Sequence, residues 1–232
     1  PEKVYVVSIM PCTAKKFEAQ RPEMGRNGIP DVDAVLTTRE LGRMLKEAGV
    51  DFNRLPDEEY DDPLGISTGA GVIFGATGGV MEAALRTAVE VVTKEELKDI
   101  NFTQVRGLEG VKEATIEVGD LQLKVAVAHG LANARKLMEK LAAGEADYHF
   151  IEIMTCPGGC IGGGAQPIPV DREARQARIA GIYKADESFT LRKSHENPAV
   201  QQLYKEFLGE PLSEKAHQLL HTTYTPRNPF GN

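Results

Sequence analysis

Cysteine, clustered basic charge and long apolar runs are all scarce in this 232-residue chain. No apolar stretch approaches the ~18 residues that a membrane helix needs, and no signal-peptide pattern opens the chain. Neither a membrane span nor a cleaved leader is expected, and the reading is cytoplasmic. Lys and Arg number 27 against 34 Asp and Glu, a net charge of −7. Without a basic cluster, no nucleic-acid partner is expected. The three cysteines are too few for a disulfide scaffold. An odd set of sparse thiols fits a reducing compartment and metal or redox chemistry. Internal repeats and low-complexity tracts are also missing. The first residue is Pro1, not methionine, and a strand is expected to start almost at once. The sequence therefore reads as the C-terminal part of a longer polypeptide.

What is present centres on residues 148–167. An apolar run from Tyr148 to Met154 ends at Cys156, followed by Pro157-Gly158-Gly159, Cys160 and three more glycines. Short apolar runs closed by turn residues read as strands, so both thiols sit on a tight loop at a strand's C-terminal end. Glycine permits positive φ there and lets backbone amides approach an anionic object. Two thiols amid so much glycine point to a bulky, sulfur-ligated, negatively charged guest more than to a compact zinc ion.

In chain order, Lys3–Ile9 reads as a buried parallel strand, stopped by Met10-Pro11 before Cys12. The first cysteine thus also hangs from a strand end. Residues 13–30 read as a loop with at most one helical turn, and Asp33–Thr37 as a short strand. Thr37 and Glu40 have capping-box spacing for a helix to about Ala48. An acidic, proline-bearing connection (51–64) leads to a glycine-rich run at 65–79 and a strong helix, Val80 to about Val92. Lys112–Val118 and Leu121–His129 form a hairpin around Gly119-Asp120. A helix from Ala132 to Ala143 then precedes the strand ending at Met154. The expected class is α/β, a mostly parallel sheet flanked by helices with a helical C-terminal segment. Further helices are expected at Asp171–Tyr183, Pro198–Leu208 and Ser213–His221. Residues 1–190 would form the α/β lobe and 191–232 a helical segment packing on it. If both cysteine-bearing strands share one sheet and direction, Cys12 meets Cys156 and Cys160 at a common edge.

Each motif has a plainer reading. Free cysteines are often simply buried, though loop positions suit that poorly. Zinc prefers Cys-x₂-Cys with a second pair or histidines nearby, whereas this pair is Cys-x₃-Cys. A cubane iron–sulfur cluster uses four cysteines, one more than this chain has. The Gly69-x-Gly71 run allows a phosphate-binding loop, a tight packing turn, or a backbone wall around an inorganic cluster. Of Lys15 and Lys16, one is expected at the surface while the other could turn inward toward an anionic group. Met10 and Met154, each two residues before a cysteine, are core methionines or an apolar wall of the guest's pocket. His195, His217 and His221 suit capping and packing better than ligation.

The segment Met10-Pro-Cys-Thr-Ala-Lys-Lys-Phe-Glu18 resembles the second signature of FeFe-hydrogenases, MPCxxKxxE. Ile153-Met-Thr-Cys-Pro-Gly-Gly-Cys-Ile-Gly-Gly-Gly-Ala-Gln-Pro167 resembles the third, MxCxxGCxxGGGQP. Residues 68–86 and Lys193-Ser-His-Glu-Asn197 are also similar to that family, so the resemblance runs almost end to end. Ala165 departs from it, standing where a third glycine is usual. The family's first signature, TSCCPxW, is missing and belongs before Pro1.

The resemblance implies a hydrogenase catalytic domain carrying an H-cluster, a 4Fe-4S cubane joined to a diiron subsite with CO, cyanide and a dithiolate. It implies Cys12 and Cys156 as cubane ligands and Cys160 as the ligand that also bridges to the diiron subsite. Lys15 would hydrogen-bond a cyanide, and Met10, Pro11, Phe74, Gly75, Val80 and Met154 would surround the diiron side. Implied partners are an upstream segment or subunit supplying the fourth cysteine and a proton-relay cysteine, and maturation proteins. Electron exchange would use ferredoxin or iron–sulfur and NAD(P)-linked modules. A non-catalytic iron–sulfur assembly or sensory relative is the alternative.

Overall fold

The computed structural model describes residues 4–62 and 64–226. Lys3, where the sequence begins its first strand, lies outside the described residues. Strand β1 is Val7–Met10, and a short helix, α1, follows at Ala14–Glu18. The segment read as a loop also contains a small hairpin, β2 (Gly25–Arg26) and β3 (Ile29–Pro30). Asn27 and Gly28, at φ 52° and 78°, provide the left-handed pair that a two-residue hairpin turn requires. Strand β4, Ala34–Thr37, pairs in parallel with β1. Contrary to expectation β1 is not buried: Val7 and Ile9 are 45% and 49% exposed. Its sheet has two strands among the described residues, so β1 is an edge strand there.

Helix α2, Thr38–Glu47, starts where the capping box predicts. Thr37 Oγ1 accepts the Glu40 amide at 3.1 Å, and the Glu40 carboxylate accepts the Thr37 amide at 2.8 Å. The glycine-rich run is more helical than its composition implies, forming α3 at Gly69–Ile73 and then α4 at Gly79–Thr93. A Cβ at Gly79 would lie 1.7 Å from the Ile73 carbonyl oxygen, so only glycine lets the two helices meet at this turn.

Strands β5 (Val111–Val118) and β6 (Leu121–His129) form the predicted hairpin. Helix α5, Leu131–Ala142, returns the chain to β7, Phe150–Met154, which pairs in parallel with β6. The C-terminal helices are α6 (Arg172–Ser188), α7 (Pro198–Leu203, extended by a π turn to Leu208) and α8 (Glu214–Leu220). The class is α/β with a helical C-terminal segment, as expected. The strands fall into three sheets among the described residues, with two parallel and two antiparallel pairings. Among those residues no helix is long and apolar enough to cross a membrane.

Helix α4 organises the interior. Met81, Leu85 and Val89 pack on Val105, Ile116, Val118, Val125 and Val127 from the hairpin side. Its polar face carries Glu82 and Arg86, both fully buried. Arg86 donates to Glu82 at 2.8 Å and, through both terminal nitrogens, to Asp186 of α6 at 2.8 Å. Arg106 donates to Glu82 at 2.6 Å and Arg192 to Asp186 at 2.6 Å, so neither buried carboxylate relies on one cation. Burial opposes ionisation of Asp186, yet the hydrogen bonds from Arg86 and then Arg192 outweigh it and hold its pKa below the ordinary value.

Candidate metal centre

Cys12 follows β1 directly after Met10-Pro11, Cys156 follows β7, and Cys160 opens a 3-10 turn at Cys160–Gly162. The one-sheet route to their convergence does not hold. β1 pairs with β4 and β7 with β6, so the two cysteine-bearing strands lie in different sheets among the described residues. Backbone contacts between loops replace the shared sheet. The Ala165 amide donates to the Pro11 carbonyl at 3.2 Å. A Cβ on Gly163 would stand 2.0 Å from that carbonyl oxygen. The Ile161 amide donates to the Gly75 carbonyl at 2.9 Å, and the Thr77 amide to the Gly158 carbonyl at 3.0 Å. The Cys156–Ala165 loop is thereby bonded to the segment before Cys12 on one side and to the α3–α4 turn on the other.

All three cysteines are free; Cys12 and Cys156 are half-buried and Cys160 is exposed. Burial around the sulfur raises the Cys160 pKa first, and the nearby Cys156 and Cys12 raise it further, while the Lys15 ammonium pulls it down. Cys12, Cys156 and Lys15 all act on the Cys160 thiol. Among the described residues, the one trio of Cys, His or carboxylate ligand atoms within 4.8 Å of each other is Glu90, His195 and Glu196, not the thiols. Thiolates on a single zinc, each at about 2.3 Å, stand no more than about 4.6 Å apart. As placed, the three sulfurs spread more widely than that.

Lys15 pairs with Glu18 one helical turn on. With Met10 it also lines a cavity of about 170 Å³ whose other walls include Val32 and Val35. Lys16 pairs with Glu40 at 2.8 Å, and the two lysine side chains are equally exposed, so burial does not single out which one turns inward. Met10, Pro11, Gly75, Val80 and Met154 are half-buried and Phe74 is 45% exposed. Pro11 and Gly75 touch the cysteine loop through their carbonyls, whereas Met154 accepts the Gly130 amide at 2.8 Å. Phe74 and Val80 flank the loop's anchor residues Gly75 and Thr77 in sequence. The buried methyl of Ala165 sits where the glycine is usual, with no positive φ to oppose it.

The phosphate-loop reading of residues 65–79 fails for a specific reason. The buried Glu152 carboxylate accepts the Gly78 amide at 2.6 Å and the Met81 amide at 2.8 Å. The N-terminal amides of α4 that would cradle a phosphate are already used by an internal anion. Glu152 was legible as a charge within the Ile151–Met154 run, but its partner was not. Sequence reasoning also missed Lys112, which donates to the Gly107 carbonyl at 3.0 Å and more weakly to that of Thr77 at 3.3 Å. Burial pulls its pKa down to about 8, against the opposing pull of Glu152 and Glu109. His129 was missed as well; its ring accepts the Gly158 amide inside the cysteine loop at 3.1 Å.

The Glu90, His195, Glu196 trio is not an open metal site. The Lys193 ammonium lies among it, 2.7 Å from Glu90 and 2.7 Å from Glu196. His195 Nε2 is 2.9 Å from Glu90 and Nδ1 is 3.0 Å from Thr87 Oγ1. This histidine ties the C-terminal segment to α4, the packing role expected of it.

The family model for the C-terminal domain of the iron-only hydrogenase large subunit matches residues 1–164, and that for the iron hydrogenase small subunit matches residues 172–227. The chain is 57% identical over 227 residues to the NADP-reducing hydrogenase subunit HndD of Solidesulfovibrio fructosivorans, covering 97% of this chain and 39% of that one. Iron hydrogenase 1 of Clostridium pasteurianum is 48% identical over 229 residues, covering 97% and 40%. Cytosolic iron-sulfur assembly component 3 of Rattus norvegicus is 34% identical over 230 residues, covering 97% and 48%. The chain thus spans less than half the length of each of these relatives. Among solved structures, a variant of apo FeFe-hydrogenase HydA1 from Chlamydomonas reinhardtii superposes with a TM-score of 0.79 at 45% identity, covering 97% of this chain and 63% of that one. The chain belongs to the iron-only, or FeFe, hydrogenase family, in the C-terminal domain of its large subunit.

Proposed function

We propose that this chain forms the C-terminal part of an FeFe-hydrogenase catalytic domain that interconverts protons, electrons and dihydrogen at an H-cluster. The observation that carries the reading is the bond from the Ala165 amide to the Pro11 carbonyl at 3.2 Å, which joins the two loops that bear the three free cysteines. The donor set fits the group: Cys12 and Cys156 would hold the cubane, and Cys160 would hold it and bridge to the diiron subsite. The fourth cubane cysteine and the proton-relay cysteine would come from an upstream segment or subunit. When bound, the H-cluster supplies heterolytic cleavage of dihydrogen and a store for its electrons.

The chain's own residues hold, orient and exclude water. Lys15, with a partly exposed side chain and Glu18 as its partner, can exchange that carboxylate for a cyanide. Met10, Pro11, Phe74 and Met154 would wall the diiron side and limit water, with Gly75 and Val80 completing the pocket. Residues 1–190 form the cluster-binding lobe in this reading and 191–232 its helical appendage. Electrons would pass through ferredoxin or iron–sulfur and NAD(P)-linked modules, a view favoured by the NADP-reducing relative. Maturation proteins would install the diiron subsite, and the setting would be the cytoplasm.

The second reading, an iron–sulfur assembly relative without turnover, is favoured by the 34% identity to the assembly component. Anaerobically matured full-length protein separates the two. The hydrogenase reading expects dihydrogen turnover that is lost in Cys160→Ala and greatly reduced in Lys15→Met. A wild-type protein holding a cubane but turning over no dihydrogen would instead support the assembly reading.

A further inference from the structure

We infer that His129 is a positioning residue for the cysteine loop, fixing the relative placement of Cys156 and Cys160 through the peptide midway between them. The inference rests on the reading of those two cysteines as cluster ligands. His129 ends β6, is 8% exposed, and lies opposite Met154 in the β6–β7 register. Its own backbone is fixed at both groups: its amide donates to the Gly110 carbonyl at 3.0 Å, and its carbonyl accepts Asn133 Nδ2 at 2.8 Å. The ring therefore projects from a rigid strand end rather than from a loop.

The partners of the ring fix its chemistry. Nδ1 faces the Gly158 N–H at 3.1 Å and must accept, whereas Nε2 faces the Leu108 carbonyl at 3.3 Å and must donate. One form, the neutral imidazole with its proton on Nε2, satisfies both. Gly158 is held from two directions, because its carbonyl accepts the Thr77 amide at 3.0 Å. Gly158 and Gly159 both have positive φ, 84° and 94°, so this peptide sets the direction in which the chain leaves Cys156 and enters Cys160. A Cβ on Gly158 would meet Arg175, Ile161 and Leu108 at 3.0 to 3.1 Å, so the loop has little room for another path. Releasing the Gly158 amide removes the hydrogen bond that ties the loop to the end of β6, and the separation of the two sulfurs is held less tightly.

The test uses the full-length protein as wild type, His129→Phe, His129→Gln and Leu137→Ala. Phenylalanine fills the space without an acceptor, glutamine restores an acceptor, and Leu137 of α5, buried in a core cluster that contains no residue of the cysteine loop, serves as a matched destabiliser. Hydrogen–deuterium exchange of the peptide across residues 155–162 is read in metal-free protein. The reduction potential of the cubane is read by EPR in loaded protein. Loss of one buried hydrogen bond should accelerate loop exchange roughly tenfold in His129→Phe, with recovery in His129→Gln and no loop effect in Leu137→Ala. The cubane potential should shift in His129→Phe alone. Unchanged loop exchange and potential in His129→Phe, or the same changes in Leu137→Ala, overturn the inference while leaving the cluster reading intact. A wild-type protein that binds no iron at these cysteines overturns the cluster reading, and the inference with it.

Discussion

The Pro11 carbonyl accepts the Ala165 amide at 3.2 Å, and this bond joins the segment before Cys12 to the loop that carries Cys156 and Cys160. Among the described residues the two cysteine loops arise from strands of different sheets, so their meeting is set by loop backbone rather than by sheet geometry. Glycine at 163 makes the approach possible.

Gly163→Ala should therefore separate the loops. The new methyl carbon would stand 2.0 Å from the Pro11 oxygen, well inside van der Waals contact, so one backbone must move. Iron and acid-labile sulfide in the full-length protein should fall well below wild type. The neighbouring Gly164, whose Cβ would meet nothing within 4 Å, should accept alanine without that loss.

Arg86→Met should destabilise the fold without touching the thiols. Removing the cation leaves Glu82 and Asp186 buried with reduced compensation, and breaking a buried pair costs about 3–5 kcal/mol. Arg106 and Arg192 continue to pair with the two carboxylates, so the loss should lie near about 3 kcal/mol. Denaturant unfolding of the apo protein measures it.

The tie between α4 and the C-terminal segment should weaken in acid. Burial works against the Glu90 carboxylate, but hydrogen bonds from Lys193, the Leu97 amide and His195 bring its pKa from 4.5 down to about 2. A depressed carboxylate pKa contributes stability above the unfolded value and loses it as pH falls through the folded one. Thermal stability should decline between about pH 4.5 and pH 2 in the wild type. In Glu90→Gln the same decline should be shallower.

How far the sequence reached follows from which contacts are local. The α2 capping box needs Thr37 and Glu40, three residues apart, and was legible. So was the β5–β6 hairpin, whose register is set by the Gly119-Asp120 turn. The exposure of β1 was not, because a run of valines does not say what packs on its faces. Residues 65–79 carried the glycines of a phosphate loop, and only the distant Glu152 decides against it. At the candidate site the cysteines and Lys15 stood out by type and spacing. His129 and Lys112 did not, since each acts through backbone groups remote in sequence.

The most direct measurement is infrared spectroscopy of anaerobically matured full-length protein beside its Cys160→Ala variant. The account predicts CO and cyanide stretching bands in the wild type and their disappearance in Cys160→Ala, because that sulfur is the proposed bridge to the diiron subsite. Bands of equal intensity in both proteins would contradict it.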